Sequence, residues 1–405
     1  MKKRLLSWLM VLTLCLTLLP TAALAAEATP AAQTAGTHEH YLCGGAECDQ
    51  KGHALEGGMT TFEPWTGKVA TGRYYLTGDI GGFTVPDGVD LTLCLNGYDI
   101  TMKVEGDAIK VGENATFTLC DCKRGGTVND YGAIRHTDSL QYNGRGVTVE
   151  AGTFYMYGGK ISNNTVGYND GSKGIGGGVV VSNKGAFYMI GGEITGNTAM
   201  TGGGVDVGAA HGTYGDSDKL LGGTFNMTGG KIYGNNCVSR GGGVYVNSTE
   251  TNFTVSGSAQ ITGNYYTGTY SGGSTQNANN VYLGKYTNNK TGVTTTATIT
   301  VNGTLTGSIG VNTDDVDHLV AAGVNKASKK CFTSDSSKYR LKYDSSERTL
   351  TMIAAAHSEH PICGDVNCNE HAALTDWQGV SGLPTNKGNY YLTKDVEING
   401  TWQAP

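Results

Sequence analysis

The 405-residue sequence predicts an all-β fold: a parallel β-helix, or solenoid, of about seven rungs flanked by small Cys/His-rich segments. A recurring phrase is the first sign. It reads Phe154-Tyr-Met-Tyr-Gly-Gly-Lys-Ile161 with Asn164, Phe187-Tyr-Met-Ile-Gly-Gly-Glu-Ile194 with Asn197, and Phe225-Asn-Met-Thr-Gly-Gly-Lys-Ile232 with Asn235. A looser copy runs from Phe253 to Ile261 with Asn264. Composition is the second sign. The 63 glycines fall periodically between short strands, and with only 16% charged residues the chain lacks the make-up of a disordered polymer.

Residues 1–25 read as a secretory signal: Lys2, Lys3 and Arg4, an apolar run from Leu5 to Leu19, then Ala23-Leu24-Ala25 before the cut. The expected location is therefore extracellular, either secreted or at the cell surface. Nothing after the signal is apolar enough to insert in a membrane. Losing those three basic residues leaves 26 Lys+Arg against 35 Asp+Glu, a net charge of −9. An acidic chain without a basic block is poorly suited to nucleic acid.

Residues 26–70 form the first Cys/His-rich segment, with His40-x2-Cys43-x4-Cys48-x4-His53; residues 356–405 carry a second, His360-x2-Cys363-x4-Cys368-x2-His371. Two thiolates and two imidazoles within fifteen residues suit a closed, structural tetrahedral zinc site. A disulfide in each block is the alternative for an exported chain. Recurrence of both histidines favours zinc, and four ligands leave no open position for catalysis. Each block is followed by a Trp and a similar strand, Gly72-Arg-Tyr-Tyr-Leu-Thr or Gly388-Asn-Tyr-Tyr-Leu-Thr. The second copy thus reads as the start of a further repeat unit that breaks off at Pro405.

Residues 71–355 are the expected solenoid. Alternation places Phe154 and Met156, and their counterparts in each copy, on one inward face. An isoleucine column, Ile161, Ile194, Ile232 and Ile261, supplies another wall. Val179-Val-Val181, Val205-Asp-Val207, Val244-Tyr-Val246 and Val281-Tyr-Leu283 supply the third, with the middle residue outward. The column Asn164, Asn197, Asn235 and Asn264 then reads as a structural amide ladder along the axis. Cys94 and Cys120 fall in one outward slot of successive rungs, a candidate disulfide, while Cys122, Cys237 and Cys331 have no assigned partner.

With Gly-Gly-x-Ile-x-x-Asn and Gly-Gly-Gly-Val rungs, Cys94-Leu-Asn-Gly97 and the Cys/His blocks, the chain resembles exported right-handed parallel β-helix proteins of Gram-positive gut bacteria, solenoids of the pectin-lyase-like type. The resemblance implies that fold over nearly the whole mature chain and carries little about activity.

Tyr155 and Tyr188 in one outward column, Tyr157 beside them, and Tyr245 and Tyr282 in another predict a face for sugar rings or for proteins of a host or cell surface. Tyrosine is also an ordinary strand residue. A polysaccharide lyase or glycoside hydrolase is the competing function. Its acids are not gathered in the sequence: Asp206 stands alone in its column, and Asn312-Thr-Asp314-Asp315 lies about 100 residues from His211-Gly212. A passive spacer or stalk needs no site at all.

Overall fold

The computed structural model describes residues 62–123, 130–137, 144–167, 174–209, 222–247, 251–269, 276–287, 292, 294–354, 377–380, 383 and 389–392. The signal reading on residues 1–25 lies outside the described residues.

The chain coils through three walls, each a ladder of parallel strands. In the first wall Asp90–Cys94, Thr116–Cys120, Thr153–Met156, Ala186–Met189, Thr224–Met227 and Asn252–Gly257 lie side by side in register. Phe117, Phe154, Phe187, Phe225 and Phe253 are thereby superposed. Their successive ring centroids are 5.4, 4.9, 4.9 and 5.0 Å apart, the strand spacing expressed in side chains. Leu119, Met156, Met189, Met227 and Val255 fill the neighbouring column, and all of them are buried. A slip of one residue would turn both columns outward, so the register is strongly specified.

The second wall carries the isoleucines, extended upstream by Ile134 and Ile100 and downstream by Ile309. The third has eight strands among the described residues, from Phe83–Val85 to Ser308–Thr313. This agrees with the expected solenoid of about seven rungs. The first rung starts at Gly72–Tyr75 and is closed above by Trp65 packed on Tyr74 and Phe83. Ser308–Thr313 runs straight through what are two walls elsewhere, pairing with Gln260–Ile261 at one end and Val281–Leu283 at the other. With no corner in that rung, the second and third walls merge into one 15-stranded sheet.

Glycines fit where the chain has no room. A Cβ at Gly204 would lie 2.6 Å from the Gly243 carbonyl oxygen and 3.0 Å from Ile232 Cγ2, which accounts for the glycine run before Val179, Val205 and Val244. The parallel coil does not continue to residue 355 as the sequence suggests. His318–Ala322 pairs antiparallel with Thr349–Ala354, which pairs antiparallel with Tyr339–Asp344. This meander buries Val320, Leu350 and Met352 and closes the C-terminal end of the core. Beyond it, Trp377–Val380 and Asn389–Leu392 form a parallel pair, as Glu63–Pro64 and Gly72–Tyr75 do at the start.

Candidate functional site

The two tyrosine columns lie on different walls. Tyr155 and Tyr188 are register partners on the outer side of the first wall, half-exposed, with ring centroids 4.8 Å apart and planes 13° apart. Thr118 precedes them in the column, and Asn226 and Thr254 follow. Partial burial, with Tyr188 and Tyr157 close by, holds the Tyr155 phenol above its ordinary range. The result is a pair of stacked, partly exposed rings followed by the partly exposed Asn226 and Thr254, while Thr118 is buried and Asn226 Oδ1 is buried without a hydrogen-bond partner. Tyr157 leaves the wall one step further on and packs against a small cluster of cysteines.

On the third wall, Val180, Asp206, Tyr245 and Tyr282 succeed one another in register. The expectation of an exposed face fails here: Val180 and Asp206 are buried, Tyr245 is partly covered, and Tyr282 is only 5% exposed. The cause is local. Gly176, Gly202 and Gly241 take φ of +64°, +61° and +68°, and these left-handed turns fold the incoming chain over the outward side chains. Arg240, from a small fourth sheet, lies 5.3 Å from the Tyr282 ring centre and pairs with Asp314 at 3.3 Å. Burial, reinforced by Asp206, pushes the Tyr245 phenol up to about 12. Tyr245 and Tyr282 are 6.0 Å apart and tilted by 32°, so they form no continuous platform.

Asp206 is the most perturbed carboxyl in this region. Burial pushes it up to about 7, opposed by a 2.6 Å hydrogen bond from Thr201 Oγ1 and by Arg145, and its Oδ1 has no hydrogen-bond partner. At 1% exposure it is closed to a polymer substrate. A cleft of about 610 Å³ does open further along this wall, lined by Asp87, Asp107, Lys110, Glu113, Arg145 and Thr148 among others. Its Asp107 is already engaged: Arg145 Nη1 lies 3.2 Å from one oxygen and Thr148 Oγ1 donates to the other at 2.8 Å.

The asparagine column is a continuous buried ladder. Asn164, Asn197, Asn235 and Asn264 each donate from Nδ2 to Oδ1 of the next amide, at 2.9, 3.0, 2.9 and 3.1 Å, the last acceptor being Asn280. Each backbone N–H donates to the same oxygen. Sequence reasoning missed both ends. Asn280 Nδ2 and its backbone N–H donate to the two oxygens of Asp335, at 2.7 and 2.6 Å. At the other end His136 Nδ1 lies 2.7 Å from Asn164 Oδ1 and Nε2 lies 2.8 Å from the Gly106 carbonyl. A signal for Asn280 exists: Asn279-Asn280-Val281 replaces the Gly-Gly-Val of earlier rungs, just where the next rung lacks a corner. Gly310 leaves it space, since a Cβ there would collide with Asn280 Nδ2 and Asp335 Oδ1.

Cys94 and Cys120 are register partners outside the core, as expected, but both are buried with Tyr75 and Cys122 under Phe62 and Tyr157. Cys122 Sγ lies 3.5 Å from Cys94 Sγ, and Cys120 is also beside Cys94. The proposed zinc ligands His40, Cys43, Cys48, His53, His360, Cys363, Cys368 and His371 lie outside the described residues. Among the described residues no group of His, Cys, Asp or Glu side chains is placed to hold a metal ion, and no helix is long and apolar enough to cross a membrane.

The fold thus defines a stacked parallel β-solenoid with an internal amide spine. Comparison with protein-family models, curated proteins and solved structures finds no match.

Proposed function

We propose that this chain is a non-catalytic scaffold, secreted or displayed at the cell surface, that binds glycans through the first-wall strip centred on Tyr155 and Tyr188. The supporting observation is the stacked, partly exposed ring pair on the outer side of the first wall. Rings at the strand repeat offer apolar faces to pyranose rings, and their phenol groups offer hydrogen bonds. Tyr245 and Tyr282 drop out of the contact surface. Structural zinc in the two Cys/His blocks belongs to the same reading and rests on their spacing.

The test is retention of the protein on a panel of plant and host polysaccharides, with Tyr155→Ala/Tyr188→Ala as the control. Retention lost in the double variant but kept in Tyr282→Phe supports the strip. Release of reducing or unsaturated ends at an enzymatic rate overturns the non-catalytic reading. Absence of retention on every glycan, and of binding to host-cell proteins, leaves a passive spacer as the better account.

A further inference from the structure

Three thiols meet on the outside of the first wall near its N-terminal end. Cys94 and Cys120 close neighbouring strands, and Cys122 follows where the chain leaves the wall. Register favours the wrong pair. Partners in a parallel ladder hold their Cβ atoms nearly parallel at the strand spacing of about 4.8 Å. A disulfide wants Cβ atoms about 3.5 to 4.5 Å apart, with the two bonds converging. Cys122 escapes that constraint because it reaches back from the turn. Its Sγ lies 3.5 Å from Cys94 Sγ and 3.3 Å from Asn96 Oδ1, whereas Cys120 Sγ is directed at the Leu93 carbonyl, 3.8 Å away.

We propose that Cys94 and Cys122 form an intrachain disulfide that clips two successive rungs, with Cys120 kept as a thiol. The oxidant is a small or protein disulfide. The Cys122 thiolate attacks one oxidant sulfur, forming a mixed disulfide and expelling the other as a thiolate. Cys94, deprotonated, then attacks Cys122 Sγ and releases the second oxidant thiolate. Two electrons pass from the cysteine pair to the oxidant, and the two thiol protons end on its sulfurs. Burial, with Cys120 beside it, holds the Cys94 thiol well above the ordinary range, which makes it a poor first nucleophile. The sulfurs lie beneath Phe62 and Tyr157, so exchange is fast while the chain folds and slow once the cover has closed. The bond closes a loop of sequence separation 28 and restricts the unfolded chain accordingly.

The experiment refolds the full chain in a glutathione redox buffer, blocks remaining thiols, digests with trypsin and maps cross-links by fragmentation mass spectrometry. Cleavage after Lys110 and Lys123 leaves Cys120 and Cys122 on one peptide, so Cys120→Ala is mapped in parallel. The expected result is a Cys94–Cys122 link in both proteins, with Cys120 alkylated in the wild type. Reduction should lower the melting midpoint by roughly 5 °C or more. A Cys94–Cys120 link, or alkylation of all three cysteines after oxidative refolding, overturns the proposal. The wild-type map decides even if the variant does not fold.

Discussion

At the scale of single residues, the ladder makes Asn197 far more consequential than its neighbours. Its Oδ1 accepts from both the backbone and side chain of Asn164, and its Nδ2 donates to Asn235 and to the Ile161 carbonyl. Asn197→Ala strands several buried groups at about 1 to 3 kcal/mol each. A loss of about 3 kcal/mol or more is expected in urea unfolding. Lys231→Ala, on the exposed side of the same wall, should cost under about 1 kcal/mol. Asn197→Asp should also destabilise at neutral pH, because a carboxylate oxygen would face the Ile161 carbonyl. Equal effects from Asn197→Ala and Lys231→Ala would contradict the ladder. A second residue-scale expectation concerns Asp206. Its folded carboxyl titrates at about 7, against about 3.9 for an unfolded chain. Between those values the folded state keeps a proton that the unfolded state has released, so this group's contribution falls as pH rises from about 4 to 7. Asp206→Asn should therefore gain stability relative to wild type across that window, by on the order of 1.4 kcal/mol per unit of pKa difference. A difference independent of pH would show that Asp206 does not titrate there.

At the scale of the wall, adjacent residues have opposite fates. Phe187 is buried between Phe154 and Phe225, while Tyr188 stands half-exposed on the other side. Phe187→Ala should cost about 3 to 5 kcal/mol, since rings fixed at the strand spacing cannot collapse into the gap. Tyr188→Ala should cost far less, and the pair of denaturation curves checks the assignment of faces. These columns were legible in the sequence because each rung repeats its predecessor, so one alternation pattern read four times assigns every inward position. The amide ladder was legible for the same reason. What escaped was whatever breaks the repeat: Asn280 in a glycine slot, Asp335 and His136 at the ladder ends, and Cys122 beyond the strand. The covering of Tyr282 escaped too, because alternation tells which side of a strand a residue faces and not what the next loop lays over it.

For the solenoid as a whole, the closures at its two ends matter as much as its repeats. Trp65 sits over the first rung, and the antiparallel meander of residues 318–354 seals the last. Since the core is continuous from Leu76 to Met352, it should survive loss of zinc from the flanking blocks. Protein purified under reducing, chelator-free conditions should carry about two zinc ions per chain. Chelation should then leave the main unfolding transition within a few degrees of its original midpoint. Cys43–Cys48 and Cys363–Cys368 disulfides without metal would end the zinc reading.

The amide spine also has a direction and two punctuation marks. Every asparagine passes a hydrogen toward the higher-numbered rung and receives one from the lower, so the pattern can be handed on only by a side chain that both gives and takes. Asp335, as a carboxylate, only takes, and His136 directs both ring nitrogens at oxygen atoms. A stack of near-identical rungs holds no information about its own length. Here the spine, though not the solenoid that continues upstream of His136, ends at the two residues that cannot relay the bond.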